Sequence, residues 1–422
     1  MRIEYFKLLE RFFNTMIFII FLLIFTTFSY GDEVCEKAPM FILKNWDNQD
    51  ESLKDILSFK KPIVISFFSI ECKPCVKELP VLDAISQKRN DIEIRIICID
   101  DNITKAKDFL KDRVKYLKVL FDPSGELAGQ NYGVVYMGRA TLPYLFIITP
   151  DGIIINKTFG YQEELEDYIN KSFQNIPYKK ISLIYTANIN GNVYPGPKYG
   201  GMERMNKLIK KLREQKKSVI LVDSGDFFPI RCNKELAEKV LKEIEMIKYD
   251  VVAIGDQELI CGKDFFEEKA KDIKLDFISG IKNFDFKPLK IVERDGIKIG
   301  FIPIISKDCF QFFPQKIKES IHTENKEDVQ NKIDKIRKEV NIIVLISHCG
   351  IEQDIKIAKE FKGIELIVGS HCQTILEKPK KEGDVYILHP GGNGETIGCA
   401  EIIFGEKRII DIKNEIMYVG ED

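Results

Sequence analysis

The sequence feature that most constrains the fold is a pair of cysteines, Cys72 and Cys75, separated by two residues. The apolar run 62–68 before the pair predicts a buried strand, and apolar residues at helical spacing predict a helix from 74 to about 89. Unpaired N–H groups and the helix dipole at the start of such a helix favour the thiolate of Cys72. Cys75, one turn further on, can attack a mixed disulfide formed by Cys72. Strand, cysteine pair and helix together predict a thiol–disulfide exchange site.

The same two cysteines are open to a second interpretation, as half of a zinc site. Such a site needs another pair of cysteines or histidines nearby. The next cysteine, Cys98, stands alone inside the strand-like run 94–100. The sequence therefore favours redox chemistry, which requires no cofactor.

Length and composition indicate a globular protein with more than one domain. The chain has 422 residues, enough for two or three domains that each bury a core. Hydrophobic residues make up 45% of it and charged residues 30%, as in ordinary globular proteins. The net charge of −2 gives no reason to expect nucleic acid or an anionic membrane surface as a partner.

The first 31 residues have the pattern of a secretory signal. Three basic residues within the first 11 positions precede an apolar stretch at 16–28, and small residues follow at 29 and 31. The apolar stretch is shorter than the roughly 20 residues of a membrane span, although a retained membrane anchor remains an alternative to a cleaved signal. In either case we expect an exported, periplasmic or extracytoplasmic protein, in which the ten cysteines are free to form disulfides.

Strands and helices are predicted to alternate along two blocks, which indicates an α/β protein. The first block covers 32–175, the polar, proline-containing segment 176–180 indicates a linker, and the second block covers 181–422. In the first block we predict strands at 62–68, 92–99, 144–149 and 153–159, and helices at 74–89, 104–113 and 162–173. In the second block we predict strands at 181–186, 219–222, 251–254, 297–302, 342–346 and 364–368, and helices at 201–215, 234–247 and 326–338.

The first block resembles the TlpA/ResA type of exported thioredoxin-like oxidoreductases. The segments that carry the resemblance are 38–41, 72–75, 78–80, 122–125, 132–134, 142–143 and 151–152. The resemblance implies a thioredoxin-like fold. It also implies two kinds of partner, namely exported proteins with cysteines and a membrane or periplasmic electron donor.

The resemblance assigns roles to four residues of the first block. It makes Cys72 the attacking nucleophile and Cys75 the resolving thiol. Glu78 matches an acidic residue that exchanges a proton near the buried cysteine, and Pro143 matches a cis proline that faces the cysteines. Glu78 is also open to interpretation as a solvated helix residue, and Pro143 as an ordinary proline at a strand entry. Glu71 departs from the family, which has an aromatic residue there, and its carboxylate disfavours the Cys72 thiolate.

The second block resembles the catalytic domain of 5′-nucleotidases and other calcineurin-like metallophosphoesterases. The matching segments are 185–191, 222–226, 255–258, 347–348 and 368–373. The resemblance implies a four-layer α/β/β/α sandwich with two metal ions, which activate a water and clamp a phosphate. Because the chain ends soon after this block, we expect it to lack the family's separate C-terminal substrate domain.

By this resemblance, four metal ligands are kept and the rest are replaced. Asp226, Asp256, His348 and His371 are kept, and they suit one divalent ion such as zinc, manganese or iron. The positions that have changed to amides are Asn188, Asn190, Gln257 and Gln373. Amides are weaker ligands than carboxylates or imidazoles, so we expect one metal or none and weak or absent phosphohydrolase activity.

The remaining histidines and cysteines carry weaker predictions. His348 and His371 have an alternative interpretation as ordinary polar residues at strand ends, and we expect His322 and His389 to be structural. The four cysteines Cys232, Cys261, Cys349 and Cys372 follow the metal motifs. They are either small buried side chains or a redox-active set, in which Cys232 and Cys261 form a disulfide or a dithiol served by the first block.

Two hypotheses for the whole chain follow. In the first, the chain is an exported thiol–disulfide oxidoreductase whose second domain binds a ligand or a partner. In the second, it is a phosphohydrolase with residual one-metal activity, and the thioredoxin-like domain keeps its cysteines reduced. The four replaced positions favour the first hypothesis.

Overall fold

The structure is a computed structural model that describes residues 32–198, 200–405 and 408–420, and these residues form two compact units. The first unit ends at Pro177 and the second begins at Tyr178. The predicted signal or anchor at 1–31 lies outside the described residues. Within the described ranges, no helix has the length and apolar character needed to cross a membrane.

The first unit is a mixed sheet with helices on its faces. Its strands are β1 (Asp32–Lys37), β2 (Ile42–Asn45), β3 (Asp50–Ser52), β4 (Ile63–Phe68), β5 (Glu93–Cys98), β6 (Lys118–Phe121), β7 (Val135–Tyr136), β8 (Arg139–Ala140), β9 (Tyr144–Ile148) and β10 (Ile153–Phe159). Its helices are α1 (Leu53–Ser58), α2 (Lys73–Lys88), α3 (Ile103–Leu110) and α4 (Leu165–Gln174), with a π-helical turn at Leu127–Asn131.

Eight of these strands form one sheet in the order β1-β10-β9-β4-β5-β6-β2-β3, and β7 and β8 form a separate ribbon. The central strands β4, β5 and β6 are parallel, and β9 joins β4 in antiparallel pairing. All six residues of β4 are buried, as its unbroken apolar sequence predicts. This is the predicted thioredoxin-like fold, with the cysteine pair at the carboxyl end of its central strand.

Helix ends in the first unit differ from the predictions by a few residues, and a side-chain cap explains one of these differences. Asn102 accepts a hydrogen bond from the Lys105 N–H, so α3 begins at Ile103. It ends at Leu110, three residues before the predicted end at 113. Helix α4 begins at Leu165, later than the predicted 162.

The second unit contains twelve strands and six helices among the described residues. The strands are β11 (Lys179–Thr186), β12 (Val219–Asp223), β13 (Val251–Ala253), β14 (Phe277–Ile278), β15 (Lys290–Arg294), β16 (Ile297–Ile305), β17 (Ile342–His348), β18 (Leu366–Gly369), β19 (Lys380–Glu382), β20 (Val385–Leu388), β21 (Thr396–Phe404) and β22 (Ile409–Tyr418). The helices are α5 (Met202–Gln215), α6 (Lys234–Ile247), α7 (Lys263–Ala270), α8 (Gln315–Ser320), α9 (Lys326–Ile336) and α10 (Ile351–Glu360), with 3-10 turns at Gln257–Leu259 and Lys307–Phe310.

These strands form two six-stranded sheets, ordered β14-β13-β12-β11-β21-β22 and β15-β16-β17-β18-β20-β19. The inner faces pack against each other, and Val222 and Val344 lie in this shared core. Alternate residues such as Leu221 and Ile343 point outward, where helices cover them. The predicted four-layer α/β/β/α sandwich is therefore confirmed.

Candidate functional site

The cysteine pair lies where β4 gives way to α2. Cys72 caps the helix start, its sulfur accepts a hydrogen bond from the Cys75 N–H at 3.2 Å, and the two cysteines are joined by a disulfide. Cys72 is half-buried, whereas the side chain of Cys75 is only 1% exposed. A reagent can therefore approach Cys72 but not Cys75, and the helix start stabilises a thiolate at Cys72.

Asp100 holds the loop that leads to Cys72. Its carboxylate accepts hydrogen bonds from the Ser69 hydroxyl at 2.7 Å and from the Ile70 N–H at 2.9 Å. The thiol of Cys98 donates to the same carboxylate, and burial raises the pKa of that thiol far above its usual range. Cys98 is thus part of the loop support. Within the described ranges it joins neither Cys72 nor Cys75 in a cluster of metal ligands.

Glu71, the departure from the family pattern, points away into solvent. Its carboxylate forms an ion pair with the Lys105 ammonium at 3.1 Å, and both side chains are mostly exposed. The lysine offsets part of the negative charge beside Cys72, although an exposed ion pair contributes little energy.

Glu78 lies one turn after Cys75 and is buried, which excludes the interpretation as a solvated residue. One carboxylate oxygen is 3.4 Å from the Ser66 hydroxyl, and the other has no hydrogen-bond partner in the described part of the chain. Burial raises the pKa of Glu78 to about 7. Glu78 can therefore hold or release a proton at neutral pH beside the buried end of the cysteine pair.

The raised pKa makes the stability of the first unit depend on pH. Neutral Glu78 is favoured in the folded state, so its contribution is complete below pH 4.5 and is lost as pH rises through about 7. At 1.36 kcal/mol per pKa unit, the cost above pH 7 is about 3 kcal/mol. We expect Glu78→Gln to remove this dependence and to stabilise the unit at pH 8.

This effect is measured by urea unfolding from pH 4 to pH 8, followed through Trp46. Trp46 is the chain's one tryptophan and belongs to the first unit, packed near Phe121. The matched control is Glu163→Gln, which changes an exposed glutamate of the same unit. Equal pH profiles for wild type and Glu78→Gln would contradict the assignment of the titration to Glu78.

Pro143 lies at the same edge of the sheet. The Leu142–Pro143 peptide is cis, as the resemblance implies, and Pro143 directly precedes β9. Tyr144 pairs with Phe67 near the end of β4, so Pro143 is close to the point where β4 leads into the loop before Cys72. Its contact with the cysteines remains a prediction.

In the second unit, the four predicted metal ligands converge from four strand ends. Asp226 follows β12, Asp256 follows β13, His348 ends β17 and His371 follows β18. One ligand atom from each lies within 4.8 Å of the others. The Nε2 atom of His348 is 3.1 Å from Asp256 and 3.2 Å from Asp226, and His371 Nδ1 is 3.3 Å from Asp256.

The environment of His348 shows that this donor set suits a cation. Its Nδ1 lies 3.0 Å from the Ser224 carbonyl, so an N–H there leaves the Nε2 lone pair facing Asp226 and Asp256. Burial opposes a charged imidazole, but the two carboxylates raise the pKa of His348 well above its usual value. Only a proton or a metal ion at this point neutralises the carboxylates. Two carboxylates and two imidazoles fit one divalent ion.

The environment of Asp256 also suits a ligand of a metal ion. Burial opposes its ionised form, yet hydrogen bonds with His348 and His371 lower its pKa to about 2. It is therefore ionised throughout the neutral range and provides a permanent negative charge for an ion.

The replaced positions form an amide network beside these ligands. Gln257 donates to the outer oxygen of Asp226 and to the Asn190 oxygen, both at 3.0 Å. Asn190 donates to Asn393 at 2.9 Å, and Gln373 exchanges hydrogen bonds with Asn393 at 3.1 and 3.2 Å. Asn190, Gln373 and Asn393 thus satisfy one another, whereas the side-chain oxygen of Gln257 is buried without a hydrogen-bond partner among the described residues. By the resemblance, this network lies on the side of Asp226 where a second ion would bind.

Asn188, the remaining replaced residue, forms hydrogen bonds with backbone groups of two loops. Its side chain accepts a hydrogen bond from the His371 N–H at 3.1 Å and donates to the Gly391 carbonyl at 3.0 Å. Asn188 therefore positions the loop that carries His371. Sequence reasoning missed Asn393, and the glycine-rich stretch 391–394 around it was the available signal.

Glu258 ties two of the ligand loops together, a role that the sequence did not reveal. Its carboxylate accepts hydrogen bonds from the N–H groups of Asp226 at 3.0 Å, Phe228 at 3.0 Å and Gly255 at 2.7 Å. A Cβ at Gly255 would lie 2.5 Å from Asp226 Oδ1, so the close approach of the two loops requires glycine. The positions of Asp226 and Asp256 therefore depend on Glu258.

Three further predicted side-chain groups belong to this unit. Cys232 and Cys261 are joined by a disulfide. His389 is buried and ion-paired with Asp354 at 2.7 Å, in keeping with the expected structural role, and its Nδ1 is 4.0 Å from Cys372 Sγ. His322 is exposed and lies away from the four ligands.

Comparisons with known proteins match the two units separately. Residues 34–157 match the model of the AhpC/TSA family. The thiol–disulfide oxidoreductase ResA of Bacillus thuringiensis subsp. konkukian is 32% identical over 143 residues, which cover 33% of this chain and 78% of that protein.

The second unit is similar to 5′-nucleotidases. The snake venom 5′-nucleotidase of Naja atra is 26% identical over 196 residues, which cover 42% of this chain and 36% of that protein. The 5′-nucleotidase precursor of Thermus thermophilus has a TM-score of 0.52 at 20% identity, covering 57% of this chain and 55% of that one. The chain thus spans between about a third and a half of the length of these 5′-nucleotidases.

The cysteine pair at the start of α2 and the similarity to most of the length of ResA agree with each other. The sandwich of the second unit agrees with the fold of the solved 5′-nucleotidase. The chain therefore belongs, through its first unit, to the thioredoxin-like thiol–disulfide oxidoreductases of the ResA family, and it joins that unit to a 5′-nucleotidase-like, calcineurin-like phosphoesterase fold.

Proposed function

We propose that the chain is an exported thiol–disulfide oxidoreductase that acts through Cys72 and Cys75 on the cysteines of other exported proteins. The observation that carries this proposal is the contrast between the half-buried Cys72 at a helix start and the buried Cys75, with Glu78 one turn further on. The basic and apolar pattern of residues 1–31 supports export.

The exchange proceeds in two balanced steps. The Cys72 thiolate attacks a substrate disulfide, forms a mixed disulfide and releases one substrate thiolate. Cys75 then attacks Cys72, which closes the Cys72–Cys75 disulfide and releases the second substrate thiolate. Glu78 takes up the proton that Cys75 loses and returns it when the pair is reduced again. The two electrons are restored by a dithiol donor in the membrane or the periplasm.

The second unit acts in this proposal as a ligand- or partner-binding module with one divalent ion. Asp226, Asp256, His348 and His371 would hold the ion, which supplies a Lewis acid when bound. The amide N–H of Gln257 donates a hydrogen bond to the Oδ2 atom of Asp226. Gln257 also has no imidazole that could stabilise the leaving group. Each missing electrostatic stabiliser costs about 3 kcal/mol of barrier, so phosphoester hydrolysis is slow or absent.

A second candidate function is phosphoester hydrolysis at one ion, with the first unit maintaining the cysteines. The convergence of two carboxylates and two imidazoles supports it, because such a site is more than structural packing requires. The amide network across the position of a second ion makes it the less favoured candidate.

The two candidates are separated by two assays on the same purified chain. We expect the chain to accelerate the reduction of insulin by dithiothreitol, and to release no more phosphate from nucleoside monophosphates with manganese than the His348→Ala variant releases. Phosphate release that is lost in His348→Ala, without insulin reduction, would favour the second candidate and contradict the first.

A further inference from the structure

The disulfide of the second unit joins two loops that carry metal ligands. Cys232 lies in the loop that follows Asp226, and Cys261 lies in the loop that follows Asp256. The inner ends of both loops are fixed, since Phe228 and Leu259 are almost fully buried. The disulfide therefore connects the outer ends of the two loops whose inner ends are already tied by Glu258.

This disulfide is also accessible from solvent. Cys232 is exposed and Cys261 is half-buried, and the neighbouring Ile230 is 64% exposed. By contrast, Cys309 and Cys399 of the same unit are at most 5% exposed. Thiol–disulfide exchange depends on access to the sulfur that is attacked, so the position of Cys232–Cys261 at the surface makes this disulfide open to attack by a thiolate.

We propose that the Cys232–Cys261 disulfide is a substrate of the Cys72–Cys75 pair, and that its redox state sets the metal affinity of the second unit. The proposal rests on the proposed oxidoreductase function and names a substrate for it within this same protein. The exchange takes place within one chain or between two copies, and the experiment below covers both.

The exchange needs no further reactant once Cys72 and Cys75 are reduced. The Cys72 thiolate attacks the exposed Cys232 sulfur and releases Cys261 as a thiolate. Cys75 attacks Cys72 and releases Cys232. The first pair loses two electrons and two protons, and the second pair gains them. Arg231, which directly precedes Cys232, is exposed and places a positive charge next to a cysteine that leaves as a thiolate.

Reduction of the Cys232–Cys261 disulfide makes the metal site less rigid but leaves its four ligands together. Glu258 continues to hold the N–H groups of Asp226 and Gly255, so both carboxylates stay near His348. The outer ends of the loops lose their covalent link, and Asp226 and Asp256 are held less rigidly. Changes in groups that support metal ligands typically weaken metal binding about 10- to 100-fold, and we expect the lower end because Glu258 remains.

The first test uses two full-length variants. The donor is Cys232→Ala/Cys261→Ala, prereduced and freed of small thiols, and the acceptor is Cys72→Ala/Cys75→Ala with its remaining disulfide oxidised. Differential alkylation and peptide mass spectrometry follow the acceptor disulfide. For exchange within one chain, the oxidised wild-type chain is given one equivalent of dithiothreitol, and the Cys72→Ala/Cys75→Ala chain given the same dithiothreitol is the control for direct reduction of Cys232–Cys261. We expect the Cys232–Cys261 disulfide to be reduced in at least one arm, at the expense of Cys72 and Cys75.

Insulin reduction by the same donor variant distinguishes a failure of this inference from a failure of the proposed oxidoreductase function. A donor that reduces insulin while Cys232–Cys261 stays oxidised in both arms overturns the inference and leaves the proposed function intact. A donor that does not reduce insulin overturns the proposed function and the inference with it.

The second test measures manganese affinity by calorimetry, because manganese prefers oxygen and imidazole ligands to thiolates. In the Cys72→Ala/Cys75→Ala chain, we expect the dissociation constant to rise about tenfold when Cys232–Cys261 is reduced chemically. The Cys232→Ala/Cys261→Ala chain provides an independent comparison and should match the reduced form. An unchanged dissociation constant in both comparisons overturns the proposed effect on metal affinity.

Discussion

Replacing Cys72 by alanine should lower insulin reduction by the full chain to the uncatalysed rate, whereas Cys75→Ala should trap a mixed disulfide through Cys72. The physical reason is that the two sulfurs differ in access. Cys72 caps α2 and is half-buried, and Cys75 is 1% exposed inside the first turn. Only Cys72 can meet a substrate sulfur, and without Cys75 nothing within the pair resolves the product.

The measurement combines the turnover rate with non-reducing gels and mass spectrometry of any trapped species. The control is Cys35→Ala, which removes a cysteine of the same unit outside the pair and should leave the rate unchanged. If Cys72→Ala kept its activity and Cys75→Ala lost activity without trapping a partner, the two roles would have to be exchanged.

In the first unit, the sequence predicted the strands and helices whose residues follow a clear apolar pattern. The unbroken apolar run of β4 indicates a buried strand, and the cysteine pair followed by apolar residues at helical spacing indicates the next helix; the structure has both. The burial of Glu78 depended on the resemblance, because its position on the helix alone fits solvent equally well. The short strands β2 and β3, which lie side by side at one end of the sheet, were missed, since their mixed polar sequences carry no clear alternation.

In the second unit, the four metal ligands could be predicted from the sequence, but the residues that hold them in place through hydrogen bonds could not. Asp226, Asp256, His348 and His371 all lie at the carboxyl ends of strands, where α/β folds usually build sites, and the structure brings them together from its two packed sheets. The support comes from residues distant in sequence, and their pairing leaves no local pattern. Glu258 holds a loop 32 positions earlier in the chain, and His389 pairs with a helix residue 35 positions earlier. Strands β21 and β22 were also missed, although β21 pairs directly with β11.

Elemental analysis of the purified chain should give at most one divalent ion, and His348→Ala or His371→Ala should remove it. Each imidazole is one of four donors, and losing a ligand exceeds the roughly 10- to 100-fold weakening that follows the loss of a supporting group. His322→Ala is the matched control, since this histidine is exposed and lies outside the donor set. Retention of the ion in both ligand variants would place it elsewhere.

The amide network is the physical reason why we expect no more than one ion, and we expect that replacing the amides reverses its effect. The side chains of Asn190, Gln373 and Asn393 form hydrogen bonds with one another. A second ion would have to break these hydrogen bonds, and in return it would gain only amide ligands, which bind metals more weakly than carboxylates or imidazoles. We expect the triple variant Asn188→Asp, Asn190→His and Gln373→His to bind a second ion. Asn188 and Asn190 have φ angles of 48° and 56°, a conformation that aspartate and histidine tolerate better than most residues. Two ions in the wild-type chain would show that amides suffice as ligands here, and one ion in the triple variant would show that the backbone, rather than the side chains, closes the second position.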